Sequence, residues 1–129
     1  MVHVKEKGTT YERELVHMLW SKGFACIRCA GSGSIKYPTP DILAGNNIRK
    51  LGIECKSSAS DTLYIPLDRV AALQEFCTTF GAEPWIAVRF SREPWYFMNI
   101  EDLKKTEKNF ILNLTRAKSV GLLFEEVIK

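Results

Sequence analysis

Long hydrophobic runs are missing from this chain. No apolar stretch approaches the ~18 residues that a membrane-spanning helix requires. The opening MVHVKEKGTTYERE has no apolar centre of the kind a secretion signal carries. An intracellular, cytoplasmic protein without membrane contact is expected. Repeats, linkers and low-complexity tracts are also absent, which leaves a single domain, residues 1–129. A second cysteine pair is lacking too. Cys26 and Cys29 have zinc-like spacing, but neither Cys55 and Cys77 nor His3 and His17 forms a matching half-site. FACIRC moreover reads as a strand, where residues three apart point to opposite faces, so free buried thiols are expected.

What is present is an ordinary folding composition. Hydrophobic residues make up 46% and charged residues 26%, which excludes a disordered chain. The net charge of +3 is only mildly basic and by itself says little about nucleic acid. Its distribution says more. Lys5, Lys7, Arg13, Lys22, Arg28, Lys36, Arg49, Lys50 and Lys56 all fall in the first half of the chain.

Periodicity orders the elements. Thr10 to Lys22 is expected to be a helix, with Tyr11, Leu15, Met18 and Leu19 on one stripe and Gly23 as its stop. Phe24 to Cys29 is a strand, followed by the loop AGSGSIKYPTP. Asp41 to Gly45 and Leu51 to Lys56 form a hairpin around a tight GNN turn. Leu63 to Ile65 is extended. Asp68 suits an N-cap for a helix to Phe80 with the stripe Val70, Leu73, Phe76, Cys77 and Phe80, stopped by Gly81. Strands follow at Trp85 to Phe90 and Trp95 to Ile100, and a short helix near Leu122 to Ile128. The fold class is α/β, a central mixed β-sheet flanked by helices.

Chemistry concentrates in Pro40-Asp41, twelve intervening residues, then Glu54-Cys55-Lys56. Alternation along LGIECK puts Leu51, Ile53 and Cys55 on one face and Glu54 with Lys56 on the other. The hairpin brings Asp41 towards Glu54, and two close carboxylates repel unless a cation lies between them. Hard oxygen ligands favour Mg²⁺, with Mn²⁺ as a substitute. A cross-strand salt bridge with Lys56 is the plainer alternative. Glu12 is a further acid with two readings. Thr9-x-x-Glu12 fits a capping box, and Glu12 also lies beside Tyr11 and Leu15, at the edge of the buried face.

These residues are recognisable as a set. GTTYERELVHMLWSKGFACIRCAGSGS, TPDILAGNN, LGIECK, LYIP and the helix ending FCTTFGAEPWIAVRF, in that order, resemble the archaeal-type Holliday junction resolvases of the PD-(D/E)xK nuclease superfamily. The resemblance covers roughly residues 7 to 100 and implies a restriction-endonuclease-like nuclease fold. It also implies a Mg²⁺-dependent homodimer that cuts two opposed strands of a four-way DNA junction, with no small-molecule substrate. The family's helix glutamate falls on Glu12, its loop serine on Ser32, its PD-type aspartate on Asp41, and its ExK acid and lysine on Glu54 and Lys56. Its basic positions fall on Arg13 and Arg28.

On this reading Glu12, Asp41, Glu54 and the carbonyl of Cys55 hold metal, and Lys56 orients water or offsets phosphate charge. Ser32 contacts phosphate. Lys5, Lys7, Arg13, Arg28 and Lys36 complete a DNA surface that reads backbone and shape, not sequence. Phe76 and Phe80, one turn apart, are the expected dimer surface, with LLFEEVI as an accessory. The rival readings are another PD-(D/E)xK nuclease of restriction or repair type acting on duplex or flap DNA, and a non-catalytic DNA-binding module.

Overall fold

The runs WIAVRF and WYFM are apolar but for Arg89, as strands covered on both sides require. A computed structural model describes the backbone of residues 2–29 and 36–129, with side chains from residue 8 onward in those ranges. It places both runs in the middle of a six-stranded sheet. The chain runs α1 (Val2–Ser21), β1 (Ala25–Arg28), β2 (Ile42–Gly45), β3 (Lys50–Ser58), β4 (Thr62–Pro66), α2 (Leu67–Phe80), β5 (Glu83–Phe90) and β6 (Trp95–Met98). Then follow β7 (Lys104–Lys105), β8 (Asn109–Asn113), α3 (Leu114–Val120), β9 (Leu122–Leu123) and α4 (Phe124–Val127).

The sheet order is β1-β2-β3-β5-β6-β9. Its neighbours are antiparallel except β3 and β5, which run parallel because α2 lies in the connection between them. Alternation sorts the side chains into two cores. Leu51, Ile53, Trp85, Ala87, Trp95 and Phe97 pack with Leu15 and Leu19 of α1. Ile86, Val88, Phe90, Tyr96 and Met98 pack with Val70, Leu73 and Cys77 of α2. The predicted α/β class, a mixed sheet between helices, is the architecture present. No helix among the described residues is long and apolar enough to cross a membrane.

Several local expectations are corrected. The first helix begins at Val2, not Thr10, so Thr9 lies inside it and cannot be an N-cap. The hairpin loop is four residues, Asn46 to Arg49, and Asn46 Oδ1 accepts from the amides of Ile48 and Arg49. Pro66, not Asp68, occupies the N-cap of α2, and Asp68 sits in the first turn. The LYIP strand leaves the central sheet for a second, three-stranded one, β4-β8-β7. In the LLFEEVI segment Phe124 and Val127 are buried in this chain's own core, while Leu123 is 41% exposed.

One glycine sets the spacing around the site. A Cβ on Gly52 of β3 would lie 2.5 Å from Cys77 Sγ, so α2 seats against β3 only because that side chain is absent. Gly81, in the left-handed region at φ 89°, then ends α2 with its amide bonded to Cys77 O.

Candidate active site

Register alone brings the two motif acids together. Ile42 pairs with Ile53, and the Asp41 amide donates to Ile53 O at 3.0 Å, so Asp41 enters the sheet beside Glu54. The side chain is then pinned. The Cys55 amide donates to Asp41 Oδ2 at 2.9 Å, while Cys29 donates its own amide to Asp41 O at 2.8 Å. The loop acid is thereby tied to both neighbouring strands.

Glu54 is 5% exposed, the one charged residue among the buried polar groups of the described chain. It lies on the α2 face of β3, two residues from Gly52. A buried carboxylate needs a partner, and Arg69 supplies it. Arg69 Nε lies 3.1 Å from Glu54 Oε2 and Nη2 lies 2.9 Å from Oε1, a bidentate fork. The same Nη2 approaches Asp41 Oδ1 at 3.5 Å. The cation that two close carboxylates demand is thus a guanidinium. Burial, reinforced by the Asp41 charge, still pushes Glu54 up to about 7 despite the arginine.

Glu12 reaches the same neighbourhood from α1. With the capping role removed, its carboxylate pairs with Arg28 Nε of β1 at 3.1 Å. Burial first and then the nearby Asp41 raise its pKa, more than Arg28 lowers it. Burial also raises the thiols of Cys29 and Cys55, with Asp41 and Glu12 adding to the effect. Cys26 points into the core, its thiol pushed up to about 12 by burial.

Lys56 lines a cavity of about 220 Å³ together with Tyr11, Glu12, Cys55, Ser57 and Trp95. Its wall is braced by Glu14, which accepts from Arg89 Nη1 at 2.7 Å and from Trp95 Nε1 at 3.0 Å. Arg89 in turn lies 5.1 Å over the Tyr11 ring.

The structure therefore gathers Glu12, Asp41, Glu54, Cys55 and Lys56, with Arg28 beside them. Arg13 and Lys36 are exposed away from these contacts. Ser32 and the side chains of Lys5 and Lys7 lie outside the described residues. Phe76 and Phe80 stack at 5.3 Å, and Phe80 is 49% exposed. Arg69 and the Glu14–Arg89 brace are absent from the sequence motifs. Arg69 had one readable signal: it lies four residues before Leu73 and eight before Cys77, a charge on an otherwise apolar stripe.

Among the described residues no three His, Cys, Asp or Glu side chains converge in metal-holding geometry. Two carboxylates do converge, since one nitrogen of Arg69 reaches an oxygen of each. That donor set of hard oxygens fits Mg²⁺, which keeps water and substrate phosphate as its remaining ligands.

Comparison with known proteins accords with this geometry. The family model described as "Archaeal holliday junction resolvase (hjc)" matches residues 3–129. The crossover junction endodeoxyribonuclease Hjc of Archaeoglobus fulgidus is 42% identical over 95% of this chain and 96% of its own length. The Hjc enzyme of Methanocaldococcus jannaschii is 36% identical over 99% of this chain and 91% of its own. The solved structure of the Archaeoglobus fulgidus Hjc, a Holliday junction resolvase from an archaeal hyperthermophile, superposes with a TM-score of 0.88 at 41% identity, covering 95% of this chain and all of that one. With a matching family model over nearly its whole length, close relatives and the same fold, this chain belongs to the archaeal Holliday junction resolvase family.

Proposed function

We propose that this chain cuts opposed strands of four-way DNA junctions by Mg²⁺-dependent hydrolysis, with Asp41 and Glu54 as the carboxylates that hold the metal. It is a structure-selective endodeoxyribonuclease of the resolvase family. The observation that carries the metal reading is the convergence of Asp41 and Glu54, from β2's entry and β3, on one shared cationic nitrogen. Two hard carboxylates so placed suit a divalent cation that is completed by water and a DNA phosphate, and Mn²⁺ would substitute. Bound there, the ion would acidify water and offset charge on the phosphate.

The chain's own groups do the rest. The Cys55 amide fixes the Asp41 carboxylate so that one oxygen faces Glu54. Lys56, in the cavity beside Glu12, offsets phosphate charge or orients the attacking water. Glu12, once released from Arg28, would complete the metal shell directly or through water. Arg28, so released, joins Arg13 and Lys36 in holding the DNA backbone, with Ser32, Lys5 and Lys7 on the same side of the sequence. Such contacts make binding salt-dependent and indifferent to sequence.

Junction selectivity rests on a homodimer that presents two such sites at a fixed separation. The stacked Phe76–Phe80 pair supports this, because exposed Phe80 lies beside exposed Trp20 and Ile27 around an apolar hollow of about 290 Å³.

The test is a labelled four-way junction and its component duplexes, incubated with Mg²⁺ and mapped for cuts. Paired symmetric cuts in the junction alone are expected. Asp41→Ala should abolish cleavage and leave junction binding intact, since removing an acid also removes repulsion from DNA. Cleavage retained in pure Asp41→Ala protein would sink the assignment, and equal nicking of duplex would favour a general duplex nuclease.

A further inference from the structure

Arg69 is held where a divalent cation would have to sit. Leu73 and Cys77, one and two turns further along α2, are 0% and 2% exposed and pack in the core beneath the sheet. Gly52 lets that part of the helix lie close to β3. With the helix so anchored, the side chain one turn earlier on the same stripe falls over Glu54, two residues along the strand from Gly52. The fork then takes both oxygens of Glu54 and its Nη2 also approaches Asp41.

We propose that Arg69 is an internal counter-ion which competes with a divalent cation for the Asp41–Glu54 pair, so that metal loading requires the guanidinium to leave. This rests on the reading that those two acids are metal ligands. The competition follows from stereochemistry. Both Glu54 oxygens already accept from Arg69, and Mg²⁺ demands close, near-octahedral oxygen contact that a guanidinium in the same place prevents. Without either cation, two carboxylates would face each other, one of them almost fully buried, an arrangement that strongly disfavours the folded state. Arg69 thus preserves the site in the metal-free protein. Its side chain remains 23% exposed, so it can swing outward while Leu73 and Cys77 keep the helix in place. A freed guanidinium beside the metal is then available to a DNA phosphate, which gives substrate a means of favouring the loaded state.

The test uses Mn²⁺ binding by calorimetry on the full chain without DNA, comparing wild type with Arg69→Gln and Arg69→Lys. Arg69→Gln should bind Mn²⁺ about tenfold more tightly. It should also melt lower in EDTA and show the larger rise in melting temperature on adding Mn²⁺. Arg69→Lys, which keeps the charge but loses the fork, should fall between the two. Equal or weaker Mn²⁺ affinity in a folded Arg69→Gln protein would overturn the proposal while leaving the metal ligands in place. No Mn²⁺ binding by either protein would overturn both. Should Arg69→Gln fail to fold, the wild-type Arg69 Nε–H resonance decides. It should shift when Ca²⁺ is added, and its indifference to Ca²⁺ at concentrations that saturate binding would count against the proposal.

Discussion

Two arginine–glutamate forks in this molecule share one chemistry and have opposite consequences. Arg49 grips Glu83 through Nε and Nη2, each at 2.8 Å, and Arg69 grips Glu54 in the same way at 3.1 and 2.9 Å. Yet Glu83 is held below the usual carboxylate range, chiefly by its bond to Arg49, whereas Glu54 is raised to about 7. The difference lies in the surroundings. The Glu83 side chain is 40% exposed and has no acid beside it among the causes of its shift; that of Glu54 is 7% exposed and faces Asp41. A fork lowers a pKa only when burial and like charge do not outweigh it. The first pair is a fastening. The second is a strained charge cluster, of the kind found where chemistry is done.

Removing each acid should separate the two roles most sharply. Glu54→Gln is expected to reduce junction cleavage by about a thousandfold or more, while Glu83→Gln changes it less than about twofold. Initial rates on a labelled junction at saturating Mg²⁺ decide this. Comparable losses in both would mean that the buried fork has no special part in the reaction.

The contrast also shows what could be read beforehand. LGIECK announced its alternation, and the resulting hairpin register placed Asp41 beside Glu54 as expected. Both central strands were legible because Arg89 is the one polar residue in their runs WIAVRF and WYFM. Arg69 was not, for two reasons. Counting only apolar residues hid a charge on the α2 stripe, and Asp68 looked suited to the N-cap position that Pro66 in fact occupies. The start of α1 was missed because VHVKEKG carries no apolar stripe, although that longer helix removes Thr9 as a cap and releases Glu12 to Arg28. In the β4-β8-β7 sheet, β4 pairs with β8 from about 50 residues away in the chain, and such a pairing leaves no local pattern. By contrast Asn113, which accepts from the Arg116 amide to cap α3, was a readable signal that went unused.

Stability against pH sharpens the comparison next. Glu54 is raised, so between the ordinary carboxylate range and about pH 7 the folded protein holds a proton that the unfolded chain has lost. Its contribution is present at low pH and is lost as pH rises through 7. Glu83 is lowered, so its contribution is present above the ordinary range and is lost as pH falls through it. In EDTA, urea titrations of Glu54→Gln should therefore lack most of the decline in stability expected of wild type between about pH 4.5 and 7, with Glu12, also raised, supplying the rest. Glu83→Gln should keep that decline and instead lack part of the loss below pH 5. Identical profiles for the two variants would contradict the assigned directions.

The smallest effect is expected at the fastening itself. Arg49 Nη1 donates to Val127 O at 2.6 Å and to Lys129 O at 2.9 Å while Nε and Nη2 hold Glu83. One side chain thus ties the start of β3 and the start of β5 to the end of the chain, where α4 covers Phe97. Arg49→Ala removes these bonds but leaves Glu83 and the terminal carbonyls partly open to water, which can replace the lost donors. A loss of about 1–2 kcal/mol is expected in urea titration, with cleavage per folded molecule unchanged. The reasoning is local: Arg49 is the loop residue that leads into β3 and Glu54 lies within that strand beneath α2, with Leu51 and Ile53 fixed in the core between them. If Arg49→Ala slowed cleavage as Glu54→Gln does, that stretch of strand would be transmitting strain, and the two forks would be one device.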